Sequence, residues 1–339
     1  MRWQAVSLSL ATLGGVAAAL SVRAGCQAIA TRREDAALPG RGELIDIGGR
    51  RLHVLRDGDQ PSGPTVVFLS GMAAPLEFWA WIQPEVAATA RTISYDRAGI
   101  GRSDAVRGVR TARLATEDLT ALLTALDDPG PYVLVGHSYG GLLARHFAHT
   151  SPGRVAGMVL VDASHPDQLR RSAMQRLGLP ATRSLMRGNE VAARFGLERL
   201  LAGQEWGREW AGLPEWAREV VGARMRRAAT WRAGNAELRG WVNHVNDEVR
   251  DTGRPLDCPL VVLTAGETEQ ADPVHRVLQR ELAGLSRTGT QSTVDKAGHM
   301  SLLADNRHAT EVVKAVLRVL GAVTAAGRDS REVRLEAGA

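Results

Sequence analysis

The chain has 339 residues, 44% of them hydrophobic, and a formal net charge of +5. That length supports one large domain with a substantial core, or a domain carrying an insertion. The positive charge is arginine scattered along the chain, with lysine only at Lys296 and Lys314 and no block of like charges, so nucleic acid is excluded as the expected partner. The two cysteines, Cys26 and Cys258, form no zinc spacing and no disulfide framework.

The first element is an uncharged run over residues 4–22, flanked by Arg2 and Arg23. It is just long enough to span a bilayer as a helix, and it also suits a signal-peptide core. Residues 1–30 are therefore expected to be a membrane anchor or a cleaved signal, with a cleavage site at Ala28-Ile29-Ala30. Either reading places the protein at a membrane or exports it. The polar stretch 31–43 reads as a linker.

Short apolar runs then recur at the spacing of alternating strands and helices. Residues 44–47 and 51–55 flank Gly48-Gly49 as a hairpin. Residues 65–69, 92–95, 132–135, 158–161 and 260–264 are apolar without alternation, as strands of a parallel sheet covered on both faces are. Residues 291–294 add a further strand. Leu114, Leu119, Leu122, Leu123 and Leu126 share one helix face, as do Val312, Val313, Val316, Leu317 and Leu320 near the end. This is an α/β pattern. It divides as core over 44–165 and 255–320, interrupted by 166–254, which has no convincing strand. That interruption carries Trp206, Trp210, Trp216, Trp231 and Trp241 and is expected to form a helical cap whose tryptophans line or abut the site. The tail, 321–339, is small and polar and is expected to be disordered.

The chemistry is concentrated at Gly136-His137-Ser138-Tyr139-Gly140, between a buried strand and a helix. A tight strand-to-helix turn there needs glycines beside the serine and lifts its hydroxyl above the sheet edge, at a helix N-terminus. A serine needs a base. His299, in the late loop Ala297-Gly298-His299-Met300, is the candidate, with Gly298 expected to let the loop bend towards the serine. Two backbone N–H groups should receive the oxyanion, those of Tyr139 and of Met72 in the loop after residues 65–69. The acid that orients His299 must lie between serine and histidine in the chain. Asp162 at the end of a strand is favoured, Glu269 is the alternative, and Asp272 is a third choice.

With Phe68–Gly71, Ser94–Asp104, GHSYGG at 136–141, LVDASHPDQ at 160–168, PLVVLTAGE at 259–267 and AGHM at 297–300, the chain resembles the α/β-hydrolase family over roughly residues 42–320. The resemblance implies a mostly parallel eight-stranded sheet with a helical cap inserted after strand six. It also implies that Asp96 and Arg97 organise a loop beside the site. Ser70 stands where many relatives have histidine. A serine nucleophile fits a hydrolase of esters, lactones or amide-type acyl bonds acting on a small, apolar acyl substrate without a metal or cofactor. It speaks against the dehalogenases of the family, which use aspartate. Two alternatives stay open: a non-catalytic ligand receptor on the same fold, and a cofactor-free oxygenase or perhydrolase using the same Ser/His pair.

Overall fold

The structure is a computed structural model. It describes the backbone of residues 2–38, 40–60, 62–199, 207–250 and 255–336, and within these the side chains of residues 18–326. One eight-stranded sheet runs β1 (Glu43–Asp46), β2 (Arg51–Asp57), β4 (Arg91–Tyr95), β3 (Thr65–Leu69), β5 (Tyr132–His137), β6 (Val155–Val161), β7 (Leu260–Ala265), β8 (Thr290–Val294). β2 is antiparallel to both neighbours, and from β4 to β8 every pairing is parallel. The physical reason is in the sequence. Every residue of β3, β5 and β7 is buried, because helices cover both faces, and these are the runs without alternation. The helices Ala112–Ala125, Tyr139–Thr150, Pro273–Ala283 and Asn306–Glu336 supply that cover. Leu119, Leu122 and Leu123 of the first of these have no exposed surface.

Between β6 and β7 the described residues form helices joined by turns and loops. Ala173–Phe195, Glu215–Met225 and Ala228–Gly240 are its longer helices. The sheet therefore presents the C-terminal ends of its parallel strands to a helical layer, and the candidate site lies between the two.

Three expectations differ from the structure. The first helix, Arg2–Ala37, runs through the expected boundary at residue 30, so the connection to β1 begins at Leu38 rather than at 31. Nothing in that stretch breaks a helix before Pro39. Side chains on both sides of Ala30 also dock on the cap. Arg23 donates to Phe195 O, Gln27 donates to Arg226 O, Glu34 pairs with Arg199 and Arg226, and Asp35 pairs with Arg224 and Arg227. At the other end, the final helix continues to Glu336, where a disordered tail was expected. Alanine and arginine in that stretch are strong helix formers that need no core. The third difference is among the tryptophans. Trp241 lines the cavity that holds Ser138, but Trp210 lines a separate hollow between the end of the first helix and Glu215–Met225. Trp206 lies outside the described residues. Much of the 4–22 run also falls where side chains are not described; among the described residues no helix is long and apolar enough to cross a membrane.

Candidate active site

Ser138 follows β5 and caps the helix Tyr139–Thr150 with φ 52 and ψ −121. A residue with a Cβ adopts this region only under constraint. The flanking glycines supply the constraint. A Cβ on Gly136 would lie 2.7 Å from Gly141 Cα, and one on Gly140 would lie 2.0 Å from Leu69 O. Only glycine allows β3, β5 and the helix to approach this closely.

Of the three candidate carboxylates, Asp162 is the one that meets His299. It sits just past β6, itself with φ 41. Its Oδ2 accepts from His299 Nδ1 at 2.6 Å and from Thr268 Oγ1 at 3.2 Å. Its Oδ1 accepts from Ala265 N at 2.9 Å and from His275 Nε2 at 2.8 Å. Burial opposes its charge, but the hydrogen bonds from His275 and His299 outweigh burial and hold the carboxyl well below the usual carboxylate range. Glu269 points elsewhere, accepting from Arg276 and from Thr293 Oγ1. Asp272 accepts from Ser172 Oγ at 2.5 Å and caps the helix Pro273–Ala283.

The bond to Asp162 fixes the proton of His299 on Nδ1 and leaves Nε2 free to accept. Burial pushes the imidazole down, but the hydrogen bond and charge of Asp162 outweigh it, so the group titrates above its ordinary value. The bend before His299 is made at Lys296, with φ 59, and not at Gly298 as expected. A Cβ at Gly298 would meet Glu267 Oε2 at 2.9 Å, so close approach accounts for that glycine. Ser138 and His299 line the same cavity, and no hydrogen bond joins them in the structure. Such bonds commonly tighten only when substrate is bound.

Two histidines sit beside this pair. His137 stacks on His299 with ring centroids 4.6 Å apart and reaches His299 O with Nε2 at 3.2 Å. Burial, then the nearness of His299, push it down to about 3, so it stays neutral and packs against the His299 ring. His275, on the helix Pro273–Ala283, was not singled out in the sequence. Its signal there was slight: a histidine following the candidate Asp272 at a helix start.

The Tyr139 N–H is the first of its helix and has no intrahelical acceptor. Met72 follows β3 in the loop Ser70-Gly71-Met72, and both residues line the cavity. A buried ion pair holds that loop. Arg97 donates to Ser70 O at 2.6 Å and Gly71 O at 2.7 Å, and its Nε meets Glu237 Oε1 at 2.6 Å. Glu237 Oε2 in turn accepts from Ala73 N at 3.0 Å. Asp96 takes part from behind, accepting from Leu76 N and Arg102 N. Glu237 belongs to the cap helix Ala228–Gly240, so the cap is tied directly to the loop that carries Met72.

The cavity holds about 330 Å³. Met72, Leu179, Leu238 and Trp241 give it apolar wall, and Gln168, Gln175 and Thr182 give it polar wall. Among the described residues no cluster of side chains could hold a metal ion.

Residues 66–315 match the Alpha/beta hydrolase family. Among curated proteins, the chain is 32% identical to the uncharacterized protein YqjL of Bacillus subtilis over 130 residues, 36% of this chain and 51% of that one. It is 31% identical to a haloalkane dehalogenase of Sphingobium indicum over 128 residues, 37% of this chain and 42% of that one. The chain thus spans about half the length, or less, of these relatives. Among solved structures, the enol-lactonase from Burkholderia xenovorans LB400 superimposes with a TM-score of 0.59 at 21% identity, covering 82% of this chain and 100% of that one. At that identity the likeness is one of fold.

Proposed function

The chain belongs to the α/β-hydrolase family, and we propose that it is a hydrolase that cleaves a carboxylic ester, lactone or amide-type acyl bond through an acyl-enzyme on Ser138. The observation that carries this reading is the Asp162–His299 hydrogen bond of 2.6 Å at the cavity that also receives the strained Ser138 turn. Ser138 Oγ attacks the acyl carbon while His299 Nε2 takes its proton. The oxyanion is received by the N–H groups of Met72 and Tyr139. His299 returns the proton to the departing alcohol or amine, and the acyl group remains on Ser138. Water then attacks, its proton going to His299 and then back to Ser138 as the acid leaves. Asp162 holds the imidazole and stabilises its charged form without taking the proton.

An aspartate in place of Ser138 would be alkylated, as in dehalogenation; a serine instead forms an ester that water reopens at the acyl carbon. The apolar wall of Met72, Leu179, Leu238 and Trp241 favours a compact, mainly apolar acyl group. The test is a panel of p-nitrophenyl esters of increasing acyl length, run with wild type and with Ser138→Ala. Turnover that falls by about a million-fold in the folded variant supports the reading. A variant that keeps a tenth of the activity overturns it.

A further inference from the structure

We propose that His275 is a positioning residue for the hydrolytic reaction, holding the oxygen of Asp162 that His299 does not use and taking a share of the carboxylate's charge. The inference rests on the acyl-enzyme reading above. The observation is one buried carboxylate between two imidazoles. Asp162 is fully buried, with His299 Nδ1 at 2.6 Å from Oδ2 and His275 Nε2 at 2.8 Å from Oδ1. Both rings line the cavity of Ser138. Burial opposes the charge on Asp162, and of the groups that outweigh burial His275 acts most strongly, ahead of His299.

The helix Pro273–Ala283 is built to hold that contact. Asp272 caps it by accepting from Val274 N, and it packs on β7 and β8. His275 and Gln279 are four apart, on one face. His275 grips Asp162, and Gln279 Nε2 donates to the next residue, at Ala163 O, at 2.7 Å. The turn they grip has φ 41 at Asp162, a backbone that a non-glycine residue keeps only when its surroundings enforce it. One helix face thus fixes both the strained turn and the carboxylate it carries.

The other charged groups around this trio have their own engagements. On the same helix Arg276 bonds Glu269, and at its start Asp272 accepts from Ser172 Oγ. On the helix Gln168–Arg171, Arg170 and Arg171 meet Asp167 and Glu281. On the far side of His299 stand His137, stacked on its ring, Glu209, which adds negative charge, and Glu267 beside Gly298; Asp295 and Lys296, after β8, are exposed. None of them touches Asp162 Oδ1. An imidazole donates through Nε2–H in either charge form, so the bond from His275 does not require it to titrate. His275 keeps that proton throughout; the proton of Ser138 passes only to His299. What His275 changes is how much of the Asp162 charge is left to hold a proton on His299.

The test compares the full wild-type chain with His275→Leu, which removes the donor, and His275→Gln, whose amide nitrogen takes the place of the imidazole Nε2. His275→Asn, too short to reach Oδ1, replaces the leucine variant if that one does not fold. Two pH dependences are measured: the His299 ring by NMR, its signal assigned by loss in His299→Gln, and kcat/KM on p-nitrophenyl acetate. In His275→Leu both inflections should move up by about half a pH unit or more, because Asp162 then turns its full charge on His299. Its kcat should fall about tenfold or more as the carboxylate loses its hold. His275→Gln should restore most of both. A change in KM alone, with the inflections unmoved, would overturn the proposal and make His275 cavity wall. A downward shift in His275→Leu, or a glutamine variant no better than leucine, would also overturn it. The NMR inflections need no substrate, so a wild type that turns over no ester would sink the acyl-enzyme reading while the coupling of His275 to His299 is still decided.

Discussion

Replacing Asp162 by asparagine isolates the role of one carboxylate oxygen. The carboxylate accepts four hydrogen bonds, two on each oxygen: Ala265 N and His275 Nε2 on Oδ1, His299 Nδ1 and Thr268 Oγ1 on Oδ2. An amide has one oxygen to offer. If its NH2 faced Ala265, two donors would oppose each other, and the backbone N–H cannot reverse its role. The oxygen therefore stays towards Ala265 and the NH2 faces His299 Nδ1. That forces the proton of the imidazole onto Nε2, so the nitrogen that should accept from Ser138 becomes a donor. In serine proteases the corresponding change costs about 10⁴ in kcat, equivalent to about 5.5 kcal/mol of transition-state stabilisation. The fold should survive, because asparagine tolerates the left-handed backbone at φ 41. The assay is kcat on an activated ester, with Tm and circular dichroism as controls. Glu269→Gln runs in parallel and should keep most activity, because Glu269 is engaged with Arg276 and Thr293. An Asp162→Asn protein within tenfold of wild type would refute the reasoning.

The pH profile should carry the same signature. Burial opposes the charge on His299, but Asp162 outweighs it and holds the imidazole above 6.5. Because catalysis needs it neutral, kcat/KM should rise with pH through an inflection above that value. Asp162→Ala should move the residual inflection downwards; an unmoved inflection would detach His299 from Asp162. Glu237→Gln strips the counter-charge from the buried Arg97 and should destabilise the fold by about 3 kcal/mol or more, with a fall in kcat as the Met72 loop loosens; thermal unfolding and kcat measured together check it, and an unchanged kcat would separate the ion pair from the oxyanion loop. Trp241→Ala enlarges the cavity and should shift the preference of kcat/KM towards longer acyl chains; an unchanged chain-length profile would mean that the acyl group binds elsewhere.

The strands were legible because a parallel sheet buried on both faces writes itself as unbroken apolar runs, as in β3, β5 and β7. The serine turn was legible because close packing leaves no substitute for Gly136 and Gly140. The choice of Asp162 was only a preference in sequence, since Glu269 and Asp272 obey the same chain order, and it is the folded position that turns those two towards other partners. Glu237 was hidden because its partner Arg97 is 140 residues away and a charged residue in a helix reads as solvated. The first helix was misread for a related reason. Glu34 and Asp35 look like linker charges until the cap brings Arg199, Arg224, Arg226 and Arg227 against them.

The central claim is that Ser138 becomes acylated. Rapid mixing with a p-nitrophenyl ester, quenching in acid and measuring the mass of the intact protein and its peptides tests it most directly. The account predicts a burst of p-nitrophenolate that approaches one equivalent per protein. It also predicts the acyl mass on the peptide containing Ser138, and loss of both signals in Ser138→Ala. Turnover with no acyl adduct in wild type, or an adduct that persists in Ser138→Ala, would contradict it.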